Sequence, residues 1–145
     1  MAAGGTRHPV RNAQVCDLPR LMRYAQAFHA YHPLTAHAPF DAEPIEAKLK
    51  DLIAGGDAVL LVHDHGAIGG VLAPIWCAPS VVIATEIFWW AERDGRSLMK
   101  AFEAWAEGKG ADEVQMIAIL GARDVTPIYD RAGYRPVELC FMKAA

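Results

Sequence analysis

From Val81 to Trp90 nearly every residue is β-branched, aromatic or alanine, and only Thr85 and Glu86 are polar. Such a stretch suits a pleated, largely buried surface and predicts a central strand. Beyond a polar turn the period changes: Leu98, Phe102, Trp105 and Ala106 recur at the spacing of one helix face, and Gly108 and Gly110 end the pattern. A buried strand running through residues 92–97 into an amphipathic helix limits the chain to folds in which helices pack on a sheet.

The remaining elements follow from the same signals. Residues 11–15 predict a short first strand. Asp17 is a cap candidate, with Pro19 tolerated in the first helical turn, and Leu18, Leu21, Met22, Ala25 and Phe28 form a helical stripe. That helix should fade near His32, because Pro33 disfavours the helical state before it. Residues 34–40 read as a loop and Asp41 as a second cap. Ile45, Leu49, Leu52 and Ile53 mark another helix, stopped by Gly55 and Gly56. Residues 58–62 and 67–76 predict a hairpin turning at Asp64, His65 and Gly66, its second strand thinned by Gly69 and Gly70. Pro79 and Ser80 turn the chain into the central strand. Further on come a strand at 114–120, a short helix at 127–132 capped by Thr126 and closed by Gly133, and a last strand at 137–142.

The order is β-α-α-β-β-β-α-β-α-β, which predicts an α+β or mixed α/β class with helices on a central sheet. No repeat, low-complexity tract or linker interrupts it. Residues 1–10 are expected to be a mobile N-terminal tail and residues 11–145 a single domain.

Composition narrows the function classes. The 145 residues are 53% hydrophobic and 21% charged, with a formal charge of −3, as in a globular chain without a basic block. Nucleic acid is therefore not an indicated partner. Cys16, Cys77 and Cys140 are widely spaced and match no zinc or redox pattern. They are expected to be reduced thiols of a cytoplasmic protein, buried as small apolar side chains. The longest apolar runs are strand-sized, so no membrane span is expected.

The turn at residues 92–97 carries the most chemical information. A helix start presents unpaired N–H groups and partial positive charge to an anion. Gly95 lets a phosphate approach the backbone. Arg93 and Arg96 add positive charge, Ser97 adds a hydroxyl, and a diphosphate fits the set. The bland reading, an ordinary strand-to-helix connection, stands beside this one, because one glycine is a weak signal.

The order of elements and two motifs resemble the GNAT (GCN5-related) N-acetyltransferase superfamily. In that family the fourth strand ends at a Gln/Arg-x-x-Gly-x-Gly/Ala turn that binds the CoA diphosphate. Here it is Glu92-Arg93-Asp94-Gly95-Arg96-Ser97: the central glycine matches, while Glu92 and Ser97 depart from the pattern. Downstream, Pro127-Ile128-Tyr129-Asp130-Arg131-Ala132-Gly133-Tyr134 looks like the family's closing motif, a helical tyrosine followed by a glycine-aromatic pair. The resemblance implies a mixed, mainly antiparallel sheet flanked by about four helices, and acetyl transfer from acetyl-CoA to a primary amine of a small molecule or protein. Trp90, Arg93, Gly95, Arg96 and Ser97 would bind the co-substrate, and Tyr129 would protonate the leaving thiolate. Tyr31, His32 and His37, between the first two helices, would contact the acceptor. No metal is implied, and the oligomeric state stays open, a homodimer included.

Glu86 is the candidate base. By alternation it should share a strand face with Ala84, Phe88 and Trp90. An unpaired carboxylate on an apolar strand is costly to bury, and its pKa rises as a result. The alternative is a carboxylate paired with an arginine or exposed. Among the six histidines, His29, His32, His37, His63 and His65 attract a metal reading only if they converge, and exposed or substrate-loop histidines are the plainer expectation. Trp89 and Trp90 should point to opposite faces. Trp105 is expected in the core, and Trp76 in the core or the acceptor cleft. A non-catalytic acyl-CoA-binding or interaction module, and a structural domain without any cofactor, are the competing functions.

Overall fold

The structure, a computed structural model, describes residues 9–33, 37–121 and 123–145. Most of the expected tail and part of the expected loop at 34–40 lie outside the described residues. The strands are β1 (Arg11–Asn12), β2 (Ala58–His63), β3 (Gly66–Ile75), β4 (Ala78–Ala91) and β5 (Glu113–Gln115). The helices are α1 (Leu18–Tyr31), α2 (Ala42–Ala54), α3 (Gly95–Gly108) and α4 (Thr126–Ala132), and a 3-10 turn, Val15–Asp17, precedes α1. The sheet order is β1-β2-β3-β4-β5. Neighbours from β1 to β4 are antiparallel, and β5 returns parallel to β4 after the α3 crossover. The α+β class is as the order of elements predicts, and the mixed, mainly antiparallel sheet with four α-helices among the described residues is as the resemblance implies.

Both faces of the sheet are covered, which explains the continuous apolar run in β2. Leu60 and Val62 pack with Leu21, Tyr24, Leu49 and Leu52 from α1 and α2. Val59 and Leu61 pack on the other side with Leu98, Phe102 and Ala106 of α3. Gly70 permits the close approach of α3: a Cβ there would lie 2.5 Å from the Phe102 ring and 2.6 Å from the Thr85 carbonyl. Trp105 belongs to the α3 core and stacks on Phe102 with ring centroids 5.5 Å apart.

Several local expectations are corrected. The first strand stops at Asn12, because Asp17 captures the Gln14 N–H at 2.8 Å and folds the chain into the 3-10 turn. Asp17 therefore does not cap α1 with its side chain; it binds Arg11 and Arg20. Asp41 precedes α2 but makes no side-chain cap bond, and Thr126 begins α4 instead of capping it. The strand expected at 114–120 pairs only at Glu113–Gln115. Residues 137–142 alternate like a strand, yet Val137, Leu139 and Phe141 are exposed and carry no strand pairing. Alternation supplies only a local preference, whereas a strand needs a neighbouring backbone. Trp76 is 91% exposed at the β3–β4 turn, in neither the core nor a cleft, and all three cysteines are exposed free thiols.

Candidate active site

β4 changes face in mid-strand. Gly70 pairs with Glu86 and Gly69 with Phe88, leaving Ile87 as an extra residue in β4, a β-bulge. The bulge reverses the alternation. A Cβ on Gly70 would point at Phe102 of α3, so its partner Glu86 lies on the α3 side. A Cβ on Gly69 would point at Leu52 of α2, and its partner Phe88 packs with α1 and α2. Glu86 thus shares a face with Ala84 but not with Phe88 and Trp90, contrary to simple alternation. Trp90 joins the α1 side and Trp89 the α3 side, so the two tryptophans do point apart.

Beyond Thr85 and Gln115, β4 and β5 cease to pair. A cavity of about 480 Å³ opens alongside, lined from the α1 side by Phe28, Tyr31, His32 and Trp90 and from the α3 side by Glu86, Trp89 and Tyr129. It therefore runs through the sheet where the strands part, and it reaches Gly95 and Arg96 at the start of α3. Its volume lies within the usual range for small-molecule sites.

Glu86 is 4% exposed and, among the described residues, has no cationic partner. One carboxylate oxygen accepts the Ile117 N–H at 3.2 Å. Burial disfavours the charged form and pushes the carboxyl up to about 7, with the Ile117 hydrogen bond pulling weakly the other way. Tyr129 is buried beside it and donates its hydroxyl to the Ile117 carbonyl at 2.8 Å. Burial, with the nearby Glu86 charge, raises the phenol well above its ordinary value, so the hydroxyl keeps its proton at neutral pH. The Tyr129 ring stacks on Trp89 at 6.1 Å. Tyr134, closing the same motif, is hydrogen-bonded to Glu103 of α3 at 2.8 Å and so anchors the end of α4.

At the other end of the cavity α3 begins at Gly95. A Cβ there would lie 3.1 Å from the Trp89 ring and 3.3 Å from the Ala91 side chain, so the glycine lets the helix start against β4. The first N–H groups of a helix lack partners within it, which makes such a helix start able to take an anion. Ser97 is already engaged: its hydroxyl donates to the Asp94 carboxylate at 2.7 Å and its N–H to the Asp94 carbonyl at 3.2 Å. Arg93 is exposed and does not line the cavity, whereas Arg96 does. The helix start and the Arg96 guanidinium are thus the groups at this end of the cavity that could hold an anion, and the Asp94 carboxylate opposes one.

Of the acceptor candidates, Tyr31 and His32 line the cavity, while His37 is exposed outside it. Sequence reading missed Arg123. Its N–H donates to the Tyr31 hydroxyl at 2.9 Å, its carbonyl accepts from the same hydroxyl at 3.1 Å, and its guanidinium lies 5.3 Å from the Trp90 ring centroid. No local signal marks a contact between residues so far apart in the chain. Among the described residues no group of three or more histidine, cysteine or acidic side chains could hold a metal ion. No described helix is long and apolar enough to cross a membrane.

No family model and no curated protein matches this sequence. Solved structures do. A GCN5-related N-acetyltransferase from Ralstonia eutropha superposes with a TM-score of 0.69 at 19% identity, covering 95% of this chain and 99% of that one. A protein from Clostridium acetobutylicum, described as a predicted acetyltransferase and solved with acetyl-CoA, gives 0.73 at 10% identity over 95% and 96%. A protein from Bacillus halodurans described as a transcriptional regulator gives 0.74 at 13% identity over 96% and 100%. Together with the strand order and the parted β4–β5 pair, these likenesses show that the chain has the GNAT fold, that of the GCN5-related N-acetyltransferases.

Proposed function

We propose that residues 11–145 form one acyl-CoA N-acyltransferase domain, transferring an acetyl group from acetyl-CoA to a primary amine of a small molecule or protein by direct attack. The observation that carries this reading is Glu86: a buried carboxylate without a cation, titrating near 7, in a cavity that also holds Tyr129 and the start of α3. A base poised near the working pH combines correct protonation with driving force.

Glu86 accepts the proton that the amine must lose, directly or through a water. The amine nitrogen bonds to the thioester carbon, the carbon–sulfur bond breaks, and the departing thiolate takes a proton. Tyr129 retains a proton to donate there, its hydroxyl rotating away from the Ile117 carbonyl. A backbone N–H of β4 near Trp90, beyond the β5 pairing, polarises the acyl oxygen. Alignment of the two substrates across the gap in the sheet supplies much of the rate. Phe28, Tyr31, His32 and Trp90 offer the acceptor an aromatic wall, with Arg123 stacked on it. The exposed free cysteines fit a reducing, cytoplasmic setting.

The test is release of free thiol from acetyl-CoA across a panel of amines. Release that depends on the amine and disappears in Glu86→Gln supports the reading; no release with any amine contradicts it. A second reading, a non-catalytic acyl-CoA-binding or interaction module, is favoured by the Asp94 carboxylate and the engaged Ser97 at the turn. Calorimetric CoA binding without thiol release would select that reading.

A further inference from the structure

The geometry points to His63 as the residue that holds the co-substrate-binding turn in shape. His63 ends β2, is 3% exposed and lines no part of the catalytic cavity. Its Nδ1 receives the His65 N–H at 3.0 Å, and its Nε2 lies 3.0 Å from the Asp94 carbonyl. A backbone N–H can only donate, so Nδ1 is the bare nitrogen; a carbonyl can only accept, so Nε2 carries the hydrogen. One neutral tautomer satisfies both bonds.

What Nε2 grips is strained. Asp94 has φ 53° and ψ 37°, the only non-glycine positive φ among the described residues. The left-handed region costs an L-residue energy, although aspartate tolerates it better than most. That conformation turns the chain from β4 into α3, whose first residues, Gly95 and Arg96, line the cavity. The Asp94 carbonyl held by His63 is the same one that accepts the Ser97 N–H. A second tie runs in parallel: the Glu92 N–H donates to the His65 carbonyl at 2.9 Å. The β2–β3 turn is thus bonded to both ends of the strained segment, through the His63 side chain at Asp94 and through backbone at Glu92. His63 is a positioning residue: it acts on the ligand through Asp94 and the start of α3.

This inference rests on the proposed CoA-binding role of the turn, and it is tested both with and without that ligand. An asparagine oxygen stands near the position of histidine Nδ1, and a glutamine amide nitrogen near that of Nε2. His63→Asn therefore keeps the bond to His65 and loses the one to Asp94; His63→Gln does the reverse. In ligand-free protein, hydrogen exchange of the Ser97 amide, which donates to the Asp94 carbonyl, should speed up in His63→Asn and stay close to wild type in His63→Gln. CoA affinity by calorimetry should fall about tenfold in His63→Asn, the loss of roughly one net hydrogen bond, and recover in His63→Gln. KM for acetyl-CoA should rise in His63→Asn while kcat changes less. Unchanged exchange of the Ser97 amide in His63→Asn overturns the inference, and so does equal loss in both variants, which is what mere packing predicts. If the wild type binds no CoA, the acyltransferase reading fails, and the exchange data still decide the role of His63.

Discussion

Asp17, beside β1, is 6% exposed and surrounded by donors: Arg11 binds it through two nitrogens at 2.8 Å, Arg20 at 2.9 Å and the Gln14 N–H at 2.8 Å. Glu86, on β4, is 4% exposed and receives one N–H at 3.2 Å. The Arg11 hydrogen bonds hold the Asp17 carboxyl well below the usual range despite its burial, whereas burial alone pushes Glu86 up to about 7. Both side chains expose little surface, but Glu86 lies far deeper among protein atoms, so depth and partners together decide the outcome. A carboxylate given cations fastens the 3-10 turn and α1 to the sheet. One denied them keeps a proton within reach at neutral pH, which is the property of an acid–base group.

The largest effect should come from removing the unpaired carboxylate. Glu86→Gln should lower kcat/KM by at least about a hundredfold, the usual share of a general base. It should not lower the thermal midpoint at pH 8. A folded value above the unfolded 4.5 means that Glu86 favours the fold below about 4.5, and that this contribution is lost as pH rises toward 7. The shift corresponds to roughly 3 kcal/mol, an upper bound on what the glutamine could recover. Thiol-release kinetics and melting curves on the same samples check both halves. Tyr129→Phe should come next, reducing kcat about tenfold or more with CoA affinity little changed. An unaltered kcat would remove the tyrosine from the mechanism.

Removing the paired carboxylate should have the opposite profile. Asp17→Asn should lower the midpoint at pH 7 by several degrees, since a buried acceptor of three partners is lost. Arg11 is half exposed, so solvent screens part of that interaction. Thiol release at 25 °C should stay within about twofold of wild type, because Asp17 touches nothing in the cavity. The stabilisation from Asp17 should vanish as pH falls below about 4 toward its depressed folded value. Loss of catalysis in this variant without loss of stability would break the contrast.

The sequence made the two carboxylates look different for reasons that only partly hold. Glu86 stood out as a charge in the β-rich run of β4, and its burial, with no cationic partner among the described residues, agrees with that. Asp17 read as a helix cap, because its partners Arg11 and Arg20 are recognisable only once the 3-10 turn forms. The apolar stripes of α1, α2 and α3 and the β2–β3 hairpin were legible because they depend on local period and turn chemistry. The Ile87 bulge was not: it is set by the register of β3 against β4, a pairing between distant segments. Tyr31 with Arg123, and His63 with Asp94, escaped for the same reason. At 137–142 the local pattern promised a strand, and no neighbouring backbone pairs with it.

The central claim is that burial, with no cation beside it among the described residues, pushes the Glu86 carboxyl up to about 7. Carboxyl carbon NMR of glutamate-labelled protein, assigned by subtraction of Glu86→Gln, measures this in the free protein. A midpoint near 7 is predicted; one near 4.5 would contradict the account.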